Sequence, residues 1–164
     1  MQKGSNSFLA QRIFLIISGL LFGGLATVGF LVTPSLFFVL ADKQVAGMIA
    51  GEIFKNTSLF SLLISVFLLI YSNLLVKRGL HQFKWSRWLL LISIVLTLIG
   101  TFVVQPMMND LRELALSEGA PVMQSPQAKE FKTLHQLSSV LFTLEVMVCA
   151  GVFWLASRLQ LNQE

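Results

Sequence analysis

Four long apolar segments dominate this sequence and leave few choices for its fold. They cover approximately residues 13–40, 57–76, 88–109 and 134–157, and none of them contains a lysine or an arginine. A helix needs about 20 apolar residues to cross a bilayer, so each segment is long enough to span. Lipid accepts only helices or closed barrels, and no segment shows the alternation of a barrel strand. The sequence therefore predicts an all-α membrane protein with four transmembrane helices.

The overall composition supports the same conclusion and limits the number of domains. The chain has 164 residues, of which 55% are hydrophobic and 12% are charged, whereas soluble domains contain about 25% charged residues. Four spans use roughly half of such a chain, so we predict a single four-helix transmembrane domain over residues 1–164. The first apolar run is much longer than the apolar region of a signal peptide, which covers about 7–15 residues, and we expect an uncleaved span there.

The positive residues predict the orientation of the spans. The loop between the second and third segments, KRGLHQFKWSRW, contains four Lys or Arg residues, and short loops rich in these residues stay in the cytoplasm. Six of the eight acidic residues fall in the loops on the other side. Trp85 and Trp88 also suit a membrane–water interface beside the basic loop. We therefore predict that both termini are cytoplasmic.

The two halves of the chain have a similar layout. Residues 51–70 align with residues 128–147 without a gap, and Pro34 near the end of the first span corresponds to Pro106 near the end of the third. The alignment suggests a weak tandem repeat of two helical hairpins that form an antiparallel bundle. The alternative is that any two apolar helices after a polar loop align this well. Both prolines should kink or end their helices, because proline has no main-chain N–H.

The segments opposite the basic loop contain helix-capping signals. Asp42 is suited to cap a helix that begins at Lys43, and Ser125 followed by Pro126 is typical of an N-cap with a first-turn proline. From each cap, the helical pattern can continue into the next span.

Polar side chains lie along the third and fourth spans. At about 100° per residue, His135, Ser138 and Glu145 fall within one half of the fourth helix. The third helix has a row of polar residues at four-residue spacing, which comprises Ser93, Thr97, Thr101, Gln105 and Asn109. We predict a polar site between these helices, formed by His135, Glu145, Gln105, Asn109, Ser138 and Thr101. The alternative is that the hydroxyl groups only hold the helices together.

Glu145 is the residue of this set that is most costly to place inside a membrane. It lies near the middle of the fourth span, where an acidic side chain costs about 3 kcal/mol on the insertion scale. No lysine or arginine lies in any span to pair with it. We expect its carboxyl group to be mostly protonated at neutral pH and bonded to hydroxyl groups such as those of Thr97 or Thr101. The alternative is that Glu145 is a proton or cation site.

No motif in the sequence indicates a known catalytic or cofactor chemistry. There is no phosphate-binding loop, no GxSxG, no HExxH and no CxxC, and the single cysteine, Cys149, cannot form an intrachain disulfide. We therefore expect no catalytic residue, no metal, no cofactor and no nucleic-acid partner. A metal- or haem-handling redox protein is an alternative, and it would use His135 with Met107 or Met108 as ligands.

Three motifs together resemble a known family. AGMIAGEIF follows the first span, QPMMNDLREL ends the third and FKTLHQLSS opens the fourth. From about Phe14 to Val152 the chain resembles the uncharacterised membrane family numbered 4149 among domains of unknown function, to which transmembrane protein 205 of animals belongs. The resemblance implies a four-helix protein of the bacterial inner membrane or of a plasma membrane. It implies no catalytic residue, because the family has no established reaction.

These observations lead us to expect a small non-enzymatic membrane protein, either transport-related or accessory. Its partners would be the lipid bilayer and a second copy or another membrane protein. A further alternative is a structural subunit of a membrane complex, with the glycine pairs Gly19–Gly23 and Gly47–Gly51 as its contact surface, because such pairs permit close helix packing.

Overall fold

The computed structural model describes residues 2–161 and the side chains of residues 8–158, and this part of the chain contains helices and short connections but no strand. The helices are α1 (Gln2–Thr27), α2 (Thr33–Val39), α3 (Lys43–Lys77), α4 (Lys84–Ile99), α5 (Gln105–Ser117) and α6 (Ala128–Leu161). Two π-helical segments, Val28–Val32 and Gly100–Val104, join α1 to α2 and α4 to α5. Two short 3₁₀ turns, His81–Phe83 and Val122–Gln124, lie in the connections.

Four helical units are long and apolar enough to cross a membrane, as the sequence predicts. They cover Phe8–Val39, Lys43–Lys77, His81–Ser117 and Ala128–Arg158. Each is longer than the predicted span, because the helix continues beyond the apolar run into a polar segment. The 35 residues of α3 correspond to about 52 Å at 1.5 Å per residue, whereas the hydrocarbon core of a bilayer is about 30 Å thick. The fold is an all-α bundle of four membrane-type helices.

Asp42 sets the start of α3. Its Oδ1 atom accepts hydrogen bonds from the main-chain N–H groups of Gln44, at 2.8 Å, and Val45, at 3.2 Å. These bonds satisfy two of the N–H groups that the first helical turn leaves without an intrahelical acceptor. The predicted cap at Asp42 is therefore confirmed.

The predicted cap at Ser125 is wrong. The Ser125 hydroxyl donates to the Val122 carbonyl oxygen at 2.8 Å, and α6 begins only at Ala128. The 3₁₀ turn before the helix thus uses the hydroxyl group that the sequence pattern assigned to the helix itself.

Each π-helical segment ends two residues before a proline. The proline is Pro34 in the first half of the chain and Pro106 in the second half. In the second segment the Gln105 N–H donates to the Gly100 carbonyl oxygen, five residues earlier, instead of the usual four. The next residue, Pro106, has no N–H to donate. The prolines therefore change the hydrogen-bond register, and α2 and α5 continue past them.

The same order of elements occurs twice in the chain. Each half has a helix, a π-helical segment, a proline-containing helix and a long unbroken helix. Both α3 and α6 pack against α1 and α4. The corresponding helices α1 and α4 therefore lie on one diagonal of the bundle, and α3 and α6 lie on the other. A parallel repeat about an axis along the bundle would produce this arrangement, which agrees with the weak repeat in the sequence.

Buried apolar side chains form two separate clusters. The larger cluster extends from the end of the bundle with the loop at residues 77–88, the basic end, to about the middle. Its buried members include Phe14, Leu25, Leu68, Leu90 and Val152. The smaller cluster consists of Ala115, Val122 and Phe131, and it lies at the opposite end, the capped end, which carries Asp42. The region between the two clusters contains the polar residues described next.

Candidate functional site

Glu145 on α6 is buried among three helices. The residue is only 3% exposed. Its Oε1 atom lies 2.6 Å from the Ser61 hydroxyl oxygen on α3 and 2.7 Å from the Thr97 hydroxyl oxygen on α4. Ser61 reaches the carboxyl group across the diagonal of the bundle. The predicted hydrogen bond with Thr97 is confirmed, and Ser61 is a partner that the sequence analysis did not identify.

Thr97 can bond to either protonation state of the carboxyl group. Its hydroxyl oxygen lies 2.7 Å from Glu145 Oε1 and 2.9 Å from the Ser93 carbonyl oxygen, but a hydroxyl group has only one hydrogen to donate. When Thr97 donates to Oε1, Glu145 can be ionised. When Thr97 donates to Ser93, the carboxyl group can carry a proton and donate it to the Thr97 oxygen. Rotation of one hydroxyl hydrogen therefore accommodates the uptake or release of a proton.

A small cavity lies beside Glu145. Its volume is about 30 Å³, which is enough for a water-sized ligand. The polar residues that line it are Ser58, Thr97, Gln105, Ser138 and Glu145. Gln105 and Ser138 lie about two helical turns nearer the capped end than Thr97 and Glu145 do. The cavity therefore extends from the carboxyl group towards the capped end and away from the larger apolar cluster.

Three side chains of this cavity keep their polar groups free. Within residues 8–158, the hydroxyl groups of Ser58 and Ser138 and the side-chain amide of Gln105 make no hydrogen bond. Other hydroxyl groups on α6 behave differently, because Ser139 and Thr143 each donate to a carbonyl oxygen of their own helix, at 2.9 and 2.8 Å. The cavity thus has three polar side chains in its lining besides Thr97 and Glu145.

Two aromatic rings form the apolar wall of the cavity. Phe54 and Phe142 pack edge to face, with ring centroids 4.9 Å apart and an interplanar angle of 81°. On its other side, Phe142 lies against Gly29 in the first π-helical segment, where a Cβ atom would overlap the ring. Gly29 therefore leaves the space in which Phe142 closes the wall.

The structure brings together only part of the predicted polar site. Gln105, Ser138 and Glu145 line one cavity, whereas His135 and Asn109 are exposed. His135 is ten residues from Glu145, which corresponds to about 15 Å along the helix. The helical periodicity places His135 and Glu145 on the same half of α6. Near His135, however, the part of the helix surface that packs against other helices is narrower than this half, so His135 is exposed.

His135 and the nearby methionines were the basis for the alternative metal site. The His135 ring is stacked on the Phe131 ring, with centroids 6.4 Å apart and an interplanar angle of 3°. Met107 is 44% exposed. In the part of the chain that the structure describes, no three His, Cys, Asp or Glu residues form a group that could hold a metal ion. The use of His135 with Met107 or Met108 as ligands stays a prediction.

The motifs that carry the family resemblance meet at Arg112, near the capped end. The Arg112 guanidinium lies 5.5 Å from the Phe131 ring centroid and donates to the Asn109 side-chain oxygen at 3.2 Å. Gly51 on α3 is also adjacent, because a Cβ atom there would come within 4.0 Å of Arg112 Nη1. Each of the three motifs contributes to this cluster, which joins the outer parts of α3, α5 and α6.

The predicted polar site, between the third and fourth spans, did not include the residues that α3 contributes to the cavity. Ser58 and Ser61 lie three residues apart on the second span, on one face of the helix. Ser61 also corresponds to Ser138 in the repeat alignment. That correspondence was the available signal that the second span faces the same site as the fourth.

The fold and the site define a multi-pass membrane protein of four helices with a buried carboxyl group in its core. The family model for the domain of unknown function DUF4149 matches residues 16–117, and the chain belongs to this family. The matched range includes Ser58, Ser61, Thr97 and Gln105, whereas Glu145 lies beyond its end. No curated protein and no solved structure matches the chain.

Proposed function

We propose that this protein is a small transport-related membrane protein in which Glu145 takes up and releases a proton. The observation that carries the proposal is the position of its carboxyl group, which is buried, bonded to Ser61 and Thr97, and open to a water-sized cavity. An acidic group at this depth is costly and is a functional candidate for that reason. The alternative acceptor for the Thr97 hydrogen, at Ser93, supports a carboxyl group that changes its protonation state.

The test is infrared difference spectroscopy on the purified, lipid-embedded protein over a range of pH. We expect a carboxylic acid C=O band that disappears reversibly as the pH rises and that is missing in the variant Glu145→Gln. Glu130→Gln is the matched control, because Glu130 is an exposed acid on the same helix. A Glu145 band that stays constant over the whole pH range would mean a permanent structural hydrogen bond and would refute the proposal.

We also propose that the protein lies in the bacterial inner membrane with both termini in the cytoplasm. The basic end contains the loop at residues 77–88, with four Lys or Arg residues, and such loops remain cytoplasmic. Trp85, Trp88 and Trp154 are all exposed, at 73%, 62% and 52%, and lie towards the same end, where they suit the lipid headgroup region. In this orientation the cavity extends from Glu145 towards the outer face.

Cysteine labelling in intact cells tests the orientation. A membrane-impermeant maleimide should label Glu118→Cys in intact cells and Gln82→Cys only after lysis, because these two exposed positions lie at opposite ends of the bundle. Labelling of Gln82→Cys alone in intact cells would reverse the orientation and place the cavity on the cytoplasmic side.

A further inference from the structure

We infer that the cavity beside Glu145 binds a monovalent alkali cation, which takes the place of the proton on the carboxyl group. This inference rests on the proposed function and names the ion with which the proton is exchanged. In the exchange, the carboxylic acid releases its proton to water and the resulting carboxylate binds the cation. One positive charge leaves and one enters, so the net charge of the buried site is unchanged.

The lining of the cavity supplies the type of ligand that such a cation needs. Hard cations bind to oxygen atoms of carboxylates, hydroxyl groups and amide carbonyls. Ser58, Ser138 and Gln105 line the cavity, and their oxygen atoms make no hydrogen bond within residues 8–158. Both hydroxyl partners of Glu145 use Oε1, so Oε2 is available to a cation.

The second π-helical segment runs past the cavity, because Gly100 in this segment and Gln105 directly after it both line the cavity. In an α-helix the Thr101 carbonyl would accept the Gln105 N–H, but that N–H donates to Gly100. The donor at the π-helical spacing would be Pro106, which has no N–H. The Thr101 hydroxyl oxygen is also buried without a hydrogen-bond partner. Thr101 therefore follows Gly100 and precedes Gln105 in the sequence, and its carbonyl oxygen lacks both the α-helical and the π-helical main-chain donor. Interrupted helices in transporters use such freed carbonyls to coordinate Na⁺.

Charge and size restrict the cation. Glu145 is the only acidic residue among those that line the cavity, and one carboxylate neutralises one positive charge. A buried divalent ion would leave one charge uncompensated, which is strongly unfavourable in a low-dielectric environment. The volume of about 30 Å³ admits an ion of the size of a water molecule and excludes bulky organic cations.

The experiment follows the Glu145 carboxylic acid band in the lipid-embedded protein while Na⁺ is added. For one-to-one competition, we expect the midpoint of the titration to fall by about one pH unit for each tenfold rise in Na⁺ at saturating concentrations. N-methylglucamine chloride at equal ionic strength should have no such effect, and Ca²⁺ should be weaker than Na⁺. In the variant Ser138→Ala, about tenfold more Na⁺ should be needed, whereas Ser139→Ala should behave as the unaltered protein, because Ser139 is exposed and bonded within its own helix.

The outcomes separate the two proposals. A band that titrates with pH but responds equally to Na⁺ and N-methylglucamine overturns the cation site and leaves the proton function in place. A stronger effect of Ca²⁺ than of Na⁺ also overturns it, because it contradicts the charge argument. A Na⁺ response that is the same in Ser138→Ala and Ser139→Ala places the ion elsewhere. A band that never titrates refutes the proton function itself.

Discussion

Replacing Glu145 with leucine should weaken the packing of the bundle, because it removes two hydrogen bonds between helices. Ser61 and Thr97 both bond to the carboxyl group. Measured interhelical hydrogen bonds in a membrane protein contribute about 0.6 kcal/mol on average and at most about 1.7 kcal/mol. Two such bonds amount to about 1.2 kcal/mol and at most roughly 3.4 kcal/mol. We therefore expect the variant Glu145→Leu to lower the free energy of unfolding by about 1–3 kcal/mol.

The assay is reversible unfolding by dodecyl sulfate in mixed micelles, followed by the loss of helical circular dichroism. The variant Glu145→Gln should stay within about 0.5 kcal/mol of the unaltered protein, because its amide oxygen can still accept both bonds. Thr143→Val is the matched control on the same helix. The Thr143 hydroxyl is exposed and donates to the Ser139 carbonyl oxygen within α6, at 2.8 Å, so its loss should change the stability by less than about 0.5 kcal/mol.

A double-mutant cycle decides whether the carboxyl group is the true partner of Ser61. Ser61→Ala should be destabilising when Glu145 is present and nearly neutral in the Glu145→Leu background, because the bond is then already lost. An equal cost in both backgrounds would refute the reasoning, and so would a Glu145→Leu variant that is as stable as the unaltered protein.

Three further perturbations test other parts of the structure. Asp42→Ala removes the cap of α3 and should cost about 1 kcal/mol, with faster hydrogen exchange confined to the first turn of that helix; unchanged exchange would contradict the cap. Gly29→Ala should displace the Phe142 ring and cost about 1–3 kcal/mol, whereas Gly23→Ala, which has nothing within 4 Å of the new Cβ atom, should be close to neutral; similar unfolding curves for the two would contradict the packing. Cys149 is 1% exposed and should react with a maleimide only on unfolding, so rapid labelling of the folded protein would contradict its burial.

The four helices were predictable from the apolar runs, because lipid leaves a chain few other structures. The Asp42 cap was also predictable, because a cap depends on residues that are adjacent in sequence. The π-helical segments were not predictable from the sequence. Pro34 and Pro106 show where a main-chain N–H is missing, but a kink, a helix end and a wider turn all accommodate that loss, and packing decides among them.

The candidate site was predictable only within one hairpin. Thr97 and Glu145 lie on consecutive spans joined in one hairpin, so their periodic patterns alone indicate that they can meet. Ser61 comes from the other hairpin, and its contact depends on which helices share a diagonal of the bundle. His135 fits the same periodic pattern as Glu145, yet it lies on the exposed part of the helix, because periodicity does not tell how wide the packed face is.

The similar layout of the two halves shows how the polar group differs from the matching positions in the first half. In the alignment of residues 51–70 with residues 128–147, Leu68 corresponds to Glu145, and at the spacing that relates Pro34 to Pro106, Leu25 corresponds to Thr97. Both leucines are buried in the larger apolar cluster. The first half of the chain therefore has apolar packing residues at the positions where the second half has the hydrogen-bonded pair Thr97 and Glu145. A buried polar pair is tolerable only when its groups are satisfied, and here the first half supplies Ser61 to complete it. The polar group therefore forms only where the two halves of the chain meet, since Ser61 comes from the first half and Thr97 and Glu145 come from the second.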